Sequence, residues 1–125
     1  MRTALSKVRG LGSARHGTAE FIVQRVSAVA LVLLLTVFII LVVALNGAPH
    51  ATVVATLGSP LAALVMLAAI LVTTVHMQVG MRVVIEDYVH GDGMKIAALV
   101  ANWLFSWAVG LIAAFAILKI AFGGA

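Results

Sequence analysis

Cysteine is absent from the 125 residues, which excludes disulfides, thiolate metal sites, iron–sulfur ligation and cysteine nucleophiles. Charge is scarce. Asp, Glu, Lys and Arg make up 10% of the chain, against about 25% in ordinary soluble domains. No acidic residue occurs between Glu20 and Glu86, and residues 46–60 hold neither Lys nor Arg. Neither an internal repeat nor a low-complexity tract is present, so solenoid and compositionally biased architectures are set aside.

What is there is apolar: 64% hydrophobic residues and a mean hydropathy of +1.23. A soluble chain this short leaves a large share of its surface in water and has too small a core to hide so much apolar area. Its solvent is therefore lipid. The net charge of +4 is no phosphate-binding patch, because five of the eight basic residues (Arg2, Lys7, Arg9, Arg15, Arg25) lie ahead of the first apolar run. Such clustering sets membrane topology and argues against a nucleic-acid partner.

Three apolar runs, the second interrupted only in its last turns by His76, Gln78 and Arg82, are each long enough to cross a bilayer, which predicts an all-α membrane protein with spans at about 26–45, 61–85 and 96–118. Asn46, Gly47 and Pro49 stop the first span. Gly91-Asp92-Gly93 is turn chemistry in a polar loop over 86–95. Residues 1–25, Arg-rich and acid-poor up to Glu20, have the composition of an organellar transit peptide or of the basic flank of a secretory signal. The apolar run that follows is longer than a signal's, so they are read as a retained cytoplasmic arm whose end, Glu20–Arg25, starts the first helix. Residues 26–125 are then a three-helix, up-down-up transmembrane domain. The positive-inside rule puts the N-terminus and the 86–95 loop in the cytoplasm and the C-terminus in the periplasm. Ser106, Gly110 and Ala114 form a small-residue face on the third span, suited to close packing within the chain or against another one.

The stretch His76–Tyr88, HMQVGMRVVIEDY, is where the chemistry gathers. A polar group in hydrocarbon needs a partner or a task, since leaving it unpaired costs several kcal/mol. On a helix, Gly80 lies about 40° from His76 and Asp87 within about 20°, while Arg82 points about 240° round. A histidine with a glycine one turn away leaves a shelf for a flat ring, and neutral imidazole is a good axial ligand for haem iron. A hydrogen bond from His76 to another helix is the other reading. No second His or carboxylate lies three or four positions on, so a zinc site is incomplete here. His16, His50 and His90 fall outside the spans, so a second haem ligand has to come from another chain. Tyr88, about 18 Å of helix rise from His76, fits either an interfacial aromatic belt or a phenol that donates to a quinone carbonyl. Asp87 beside it is placed to orient a basic group or deliver protons, and Glu86 is read as a solvated interfacial charge.

These residues carry a resemblance. His76, Gly80 and Asp87-Tyr88 match the H-x3-G-x6-D-Y pattern of the D-type hydrophobic anchor subunits of succinate dehydrogenase (succinate:quinone oxidoreductase, respiratory complex II). HGTAEFIVQRVSA, His16–Ala28, is similar to that family's entry into its first helix. The resemblance implies a membrane anchor that does not itself oxidise succinate. It implies His76 as one axial ligand of haem b, shared with a C-type cytochrome b anchor subunit that supplies the other. It further implies Tyr88 and Asp87 at a ubiquinone site, and a flavoprotein and an iron–sulfur subunit docked on the cytoplasmic face, with His90 and Lys95 as candidate docking residues. Arg25 falls near basic residues by the haem propionates, although positive-inside anchoring accounts for it as well. Ser27 is placed to bond a propionate or to back-bond to its own helix, and the second is preferred. The expected location is a bacterial inner membrane in preference to a mitochondrial one, since the arm is short and leads directly into the first span. Two other readings remain at this point: a haem-free anchor of the same complex, and a small homo-oligomeric channel or transporter subunit. The polar residues cluster near span ends, which argues against a continuous pore.

Overall fold

The computed structural model describes residues 3–10 and 16–123, all of whose regular elements are helical. Arg2 and Arg15 of the basic arm lie outside the described residues. The helices are α1 (Ala4–Val8), α2 (His16–Ala44), α3 (His50–Leu57), α4 (Pro60–Tyr88) and α5 (Asp92–Ala121). Among the described residues, three segments are long and apolar enough to span a membrane: Gly17–Ala44, Pro60–Tyr88 and Asp92–Ala121.

The spans run further than their apolar cores predict, because a helix continues past the hydrocarbon wherever its own backbone bonds can form. At 29 residues, α4 rises about 43 Å, against about 30 Å of hydrocarbon. It is therefore longer than the hydrocarbon alone requires. The expected boundary at residue 25 falls inside α2. The expected 86–95 loop shrinks to Val89–Gly91, since Asp92 and Gly93 already belong to α5. Gly91 takes the N-cap position there with an extended backbone and Lys95 N–H donates to its carbonyl. At the other end, Gly47 turns the chain out of α2 with φ +77°, a left-handed conformation that costs a glycine little. Pro60 opens α4 in its first turn, where its missing N–H is no loss. The connection between the first two spans is not plain loop but contains α3.

The helix directions alternate. Glu20 and Ser27 of α2 meet Arg82 and His76 of α4 in reverse order, and Thr74 and Gln78 of α4 meet Gly110 and Asn102 of α5 likewise. The arrangement is more open than a closed bundle: α2 and α5 each pack on α4, and their backbones do not approach one another among the described residues. In lipid, apolar contact brings no hydrophobic gain between helices, so close packing and interhelical hydrogen bonds hold them. Both are visible in three tiers. At the C-terminal ends of α2 and α5, Ala63, Met66 and Ile117 form an apolar cluster joined by Leu41, Leu57, Ile70 and Ala121.

At mid-depth the α4–α5 contact is polar and tight. Ser106 is fully buried and donates to Asn102 Oδ1 at 3.3 Å, and Asn102 Nδ2 donates to the Gln78 carbonyl at 2.9 Å. A side chain at Gly110 would collide with Thr74, its Cβ lying 2.9 Å from Thr74 Cγ2. The Ser106–Gly110 face is thus used inside the chain. The third tier, at the N-terminal ends of α2 and α5, is ionic: Arg82 reaches Glu20 at 2.6 Å and Glu86 at 2.8 Å.

Candidate functional site

His76 lies within about 3 Å of the midpoint of α4, counted along the helix axis, and is half-buried against α2. Its Nδ1 is 2.8 Å from Ser27 Oγ. Ser27, itself buried, also donates to the Gln24 carbonyl one turn back, at 3.1 Å. The expected back-bond of Ser27 is present, and with it the hydrogen bond from His76 to another helix that is the other reading of that residue, here made with Ser27. Nε2 of His76 has no hydrogen-bond partner among the described residues.

Gly80, one turn on, faces the same stretch of α2. A Cβ there would stand 3.0 Å from Gln24 Nε2, so the glycine lets the Gln24–Ser27 turn of α2 close onto the His76–Gly80 turn of α4. The surface expected as a bare shelf is covered by the Gln24 carboxamide, and a ring lying on Gly80 has to stack on that amide or displace it. Gln24 Oε1 is buried with no hydrogen-bond partner among the described residues, an acceptor still open to a donor.

The other expected residues sit apart from this contact. Arg25 is exposed, its guanidinium over the ring of Phe21 on the same helix, 5.1 Å from the centroid. Asp87 and Tyr88 end α4, and Tyr88 is 78% exposed. Neither side chain has a partner among the described residues. Glu86 is not simply solvated, since it pairs with Arg82. Arg82 also reaches α2 although its helical position points away from His76. The spacing of four between Arg82 and Glu86 was a readable sign of that pair. The role of Gln24 and the Ser27–His76 contact had no such sign, because they depend on the register between two helices.

Among the described residues no three His, Asp or Glu side chains gather to hold a metal ion. The residues fit a haem in one respect that geometry can test. An axial histidine needs one nitrogen free, with the other held by a hydrogen bond that orients the ring, and His76 has that pattern.

Residues 1–118 match the family model described as succinate dehydrogenase/fumarate reductase transmembrane subunit. The chain is 36% identical over 121 residues to the succinate dehydrogenase hydrophobic membrane anchor subunit of Paracoccus denitrificans, covering 97% of this chain and 93% of that one. It is 29% identical over 105 residues to the protein of the same name from Rickettsia bellii, covering 84% of each. No solved structure matches significantly.

Proposed function

Because the chain belongs to the succinate dehydrogenase/fumarate reductase transmembrane subunit family, we propose that it is the D-type anchor of a succinate:quinone oxidoreductase, giving one axial ligand to haem b and one side of a ubiquinone-reduction site. The observation that carries this reading is the state of His76, an imidazole near the middle of α4 with Nδ1 engaged by Ser27 and Nε2 without a partner among the described residues. When bound, haem b supplies one-electron transfer.

The chain's own residues bind and orient. His76 offers its Nε2 lone pair, and the Gly80–Gln24 contact sets how closely α2 and α4 flank the group. Arg25, exposed over the ring of Phe21, is a cation available to a propionate. Tyr88 donates its phenol proton to a quinone carbonyl at the headgroup level, and Asp87 holds or passes a proton beside it. The exposure of Tyr88 supports a site completed by other chains: a C-type cytochrome b anchor that gives the second haem ligand, and an iron–sulfur subunit that passes electrons from a flavoprotein. In this reading succinate is oxidised in the flavoprotein, and this cysteine-free chain leaves iron–sulfur ligation to its partner. The charge distribution supports a cytoplasmic N-terminus and Val89–Gly91 connection, a periplasmic C-terminus, and residence in a bacterial inner membrane.

The test is the absorption spectrum of the purified complex with and without His76→Ala. The wild-type complex is expected to show a low-spin haem b band, and the variant to lose it or convert it to a high-spin form. A b band that survives the substitution unchanged excludes His76 as the ligand.

A further inference from the structure

The hydroxyl of Ser27 has one proton and two lone pairs, and two neighbours: the Gln24 carbonyl at 3.1 Å and His76 Nδ1 at 2.8 Å. A carbonyl oxygen only accepts. Both contacts are hydrogen bonds at once in a single arrangement, with the Ser27 proton on the Gln24 carbonyl and a proton on Nδ1 of His76 donated to Ser27 Oγ. In the other neutral tautomer Ser27 donates to Nδ1 and forgoes the Gln24 carbonyl. That tautomer also leaves an Nε2–H with no acceptor among the described residues, in an apolar span where an unpaired donor is costly. Ser27 is 7% exposed, so solvent does not substitute for it.

We propose that Ser27 is a positioning residue that sets the tautomer and ring orientation of His76, relaying the Gln24 carbonyl to Nδ1–H so that Nε2 presents its lone pair to a metal centre. The inference rests on the axial-ligand reading of His76 and deepens it. Gly80 belongs to the same device, because the absence of a Cβ where Gln24 Nε2 approaches permits the helix contact that brings Ser27 within reach. A hydrogen bond from Nδ1–H to an acceptor raises the basicity of the ligating nitrogen. Ser27 therefore favours the ferric state of a bound haem and holds its potential down.

The experiment compares the assembled complex carrying Ser27→Ala or Ser27→Thr with the wild type, by redox titration of the haem b band and by imidazole nitrogen NMR of the histidine-labelled full chain in micelles. Ser27→Ala is expected to shift the midpoint potential upward or to lose haem, and Ser27→Thr, which keeps the hydroxyl, to restore wild-type behaviour. In the NMR spectrum, His76 is expected as the Nδ1–H tautomer, with Nε2–H gaining population in Ser27→Ala. A loaded Ser27→Ala complex with an unchanged potential overturns the proposal, as does a Ser27→Thr complex indistinguishable from Ser27→Ala. If the wild-type complex holds no haem, the axial-ligand reading fails by itself. The tautomer then decides for Ser27 alone: dependence on the hydroxyl upholds its hold on the imidazole, and indifference refutes it.

Discussion

Replacing Gly110 by alanine tests how α4 is held at the depth of His76. The added Cβ would stand 3.2 Å from the Cβ of Thr74 and 2.9 Å from its Cγ2, and closest of all to its Oγ1. Thr74 is β-branched, and its hydroxyl donates to the Ile70 carbonyl at 2.8 Å, so rotation about χ1 gives no easy escape. Overpacking of this kind costs about 1–3 kcal/mol. Alanine recovers up to about 1 kcal/mol of helix propensity over glycine, and less where the unfolded reference is itself helical in micelles. The net expectation is a destabilisation of about 1–2 kcal/mol, with α4 and α5 pushed apart. Thr74→Ala removes Oγ1 and Cγ2 and leaves only the 3.2 Å contact, so in that background Gly110→Ala should cost less than about 0.5 kcal/mol by the same overpacking logic. The predicted coupling in a double-mutant cycle is then about 1 kcal/mol. Unfolding by SDS in mixed micelles, followed by far-UV circular dichroism and by the fluorescence of Trp103 and Trp107 on α5, measures all four proteins. A Gly110→Ala protein as stable as the wild type, or an equal penalty in both backgrounds, refutes the steric argument.

Two further outcomes follow from the N-terminal end of α2 and the C-terminal end of α4. Arg82→Ala releases Glu20 and Glu86; because all three side chains are partly exposed, the loss should stay within about 1 kcal/mol. The difference in melting temperature between variant and wild type should shrink at high salt, and a salt-independent difference would assign the effect to packing instead. Tyr88→Phe removes one hydroxyl that has no partner within the described chain. The complex should assemble normally and reduce quinone roughly tenfold more slowly, as expected for one lost hydrogen bond of about 1.4 kcal/mol; undiminished turnover rules out that hydroxyl as a quinone donor.

The three spans were legible from hydropathy alone because lipid admits so few alternatives: a long uncharged run has to be a helix. Their ends were not. The structure starts α2 at His16, a turn before the Glu20–Arg25 start expected from the sequence, and Asp92 starts α5 where turn chemistry suggested a loop. The candidate site could be picked out by residue type, since a histidine inside an apolar span, a glycine one turn on and an Asp-Tyr pair at the end of that span each stand out against an apolar background. What those residues touch was hidden. Helical projection treats a side chain as a direction, so it set Arg82 apart from the α2-facing stripe, whereas a long guanidinium arm swings round to Glu20. Projection likewise read Gly80 as open space, when the same missing Cβ makes room for Gln24.

These failures share one cause. Among apolar side chains in lipid, one register between helices is nearly as good as another, so apolar periodicity says little about which turn meets which. The register is chosen by the few polar atoms that must be paired. In this chain they are Ser27 with His76, Asn102 with the Gln78 carbonyl, and Arg82 with Glu20. A slip of one turn along α4 would unpair all three. The polar residues that hold the helices in register therefore also orient His76, which makes the alignment of the spans and the readiness of the imidazole a single property of the fold.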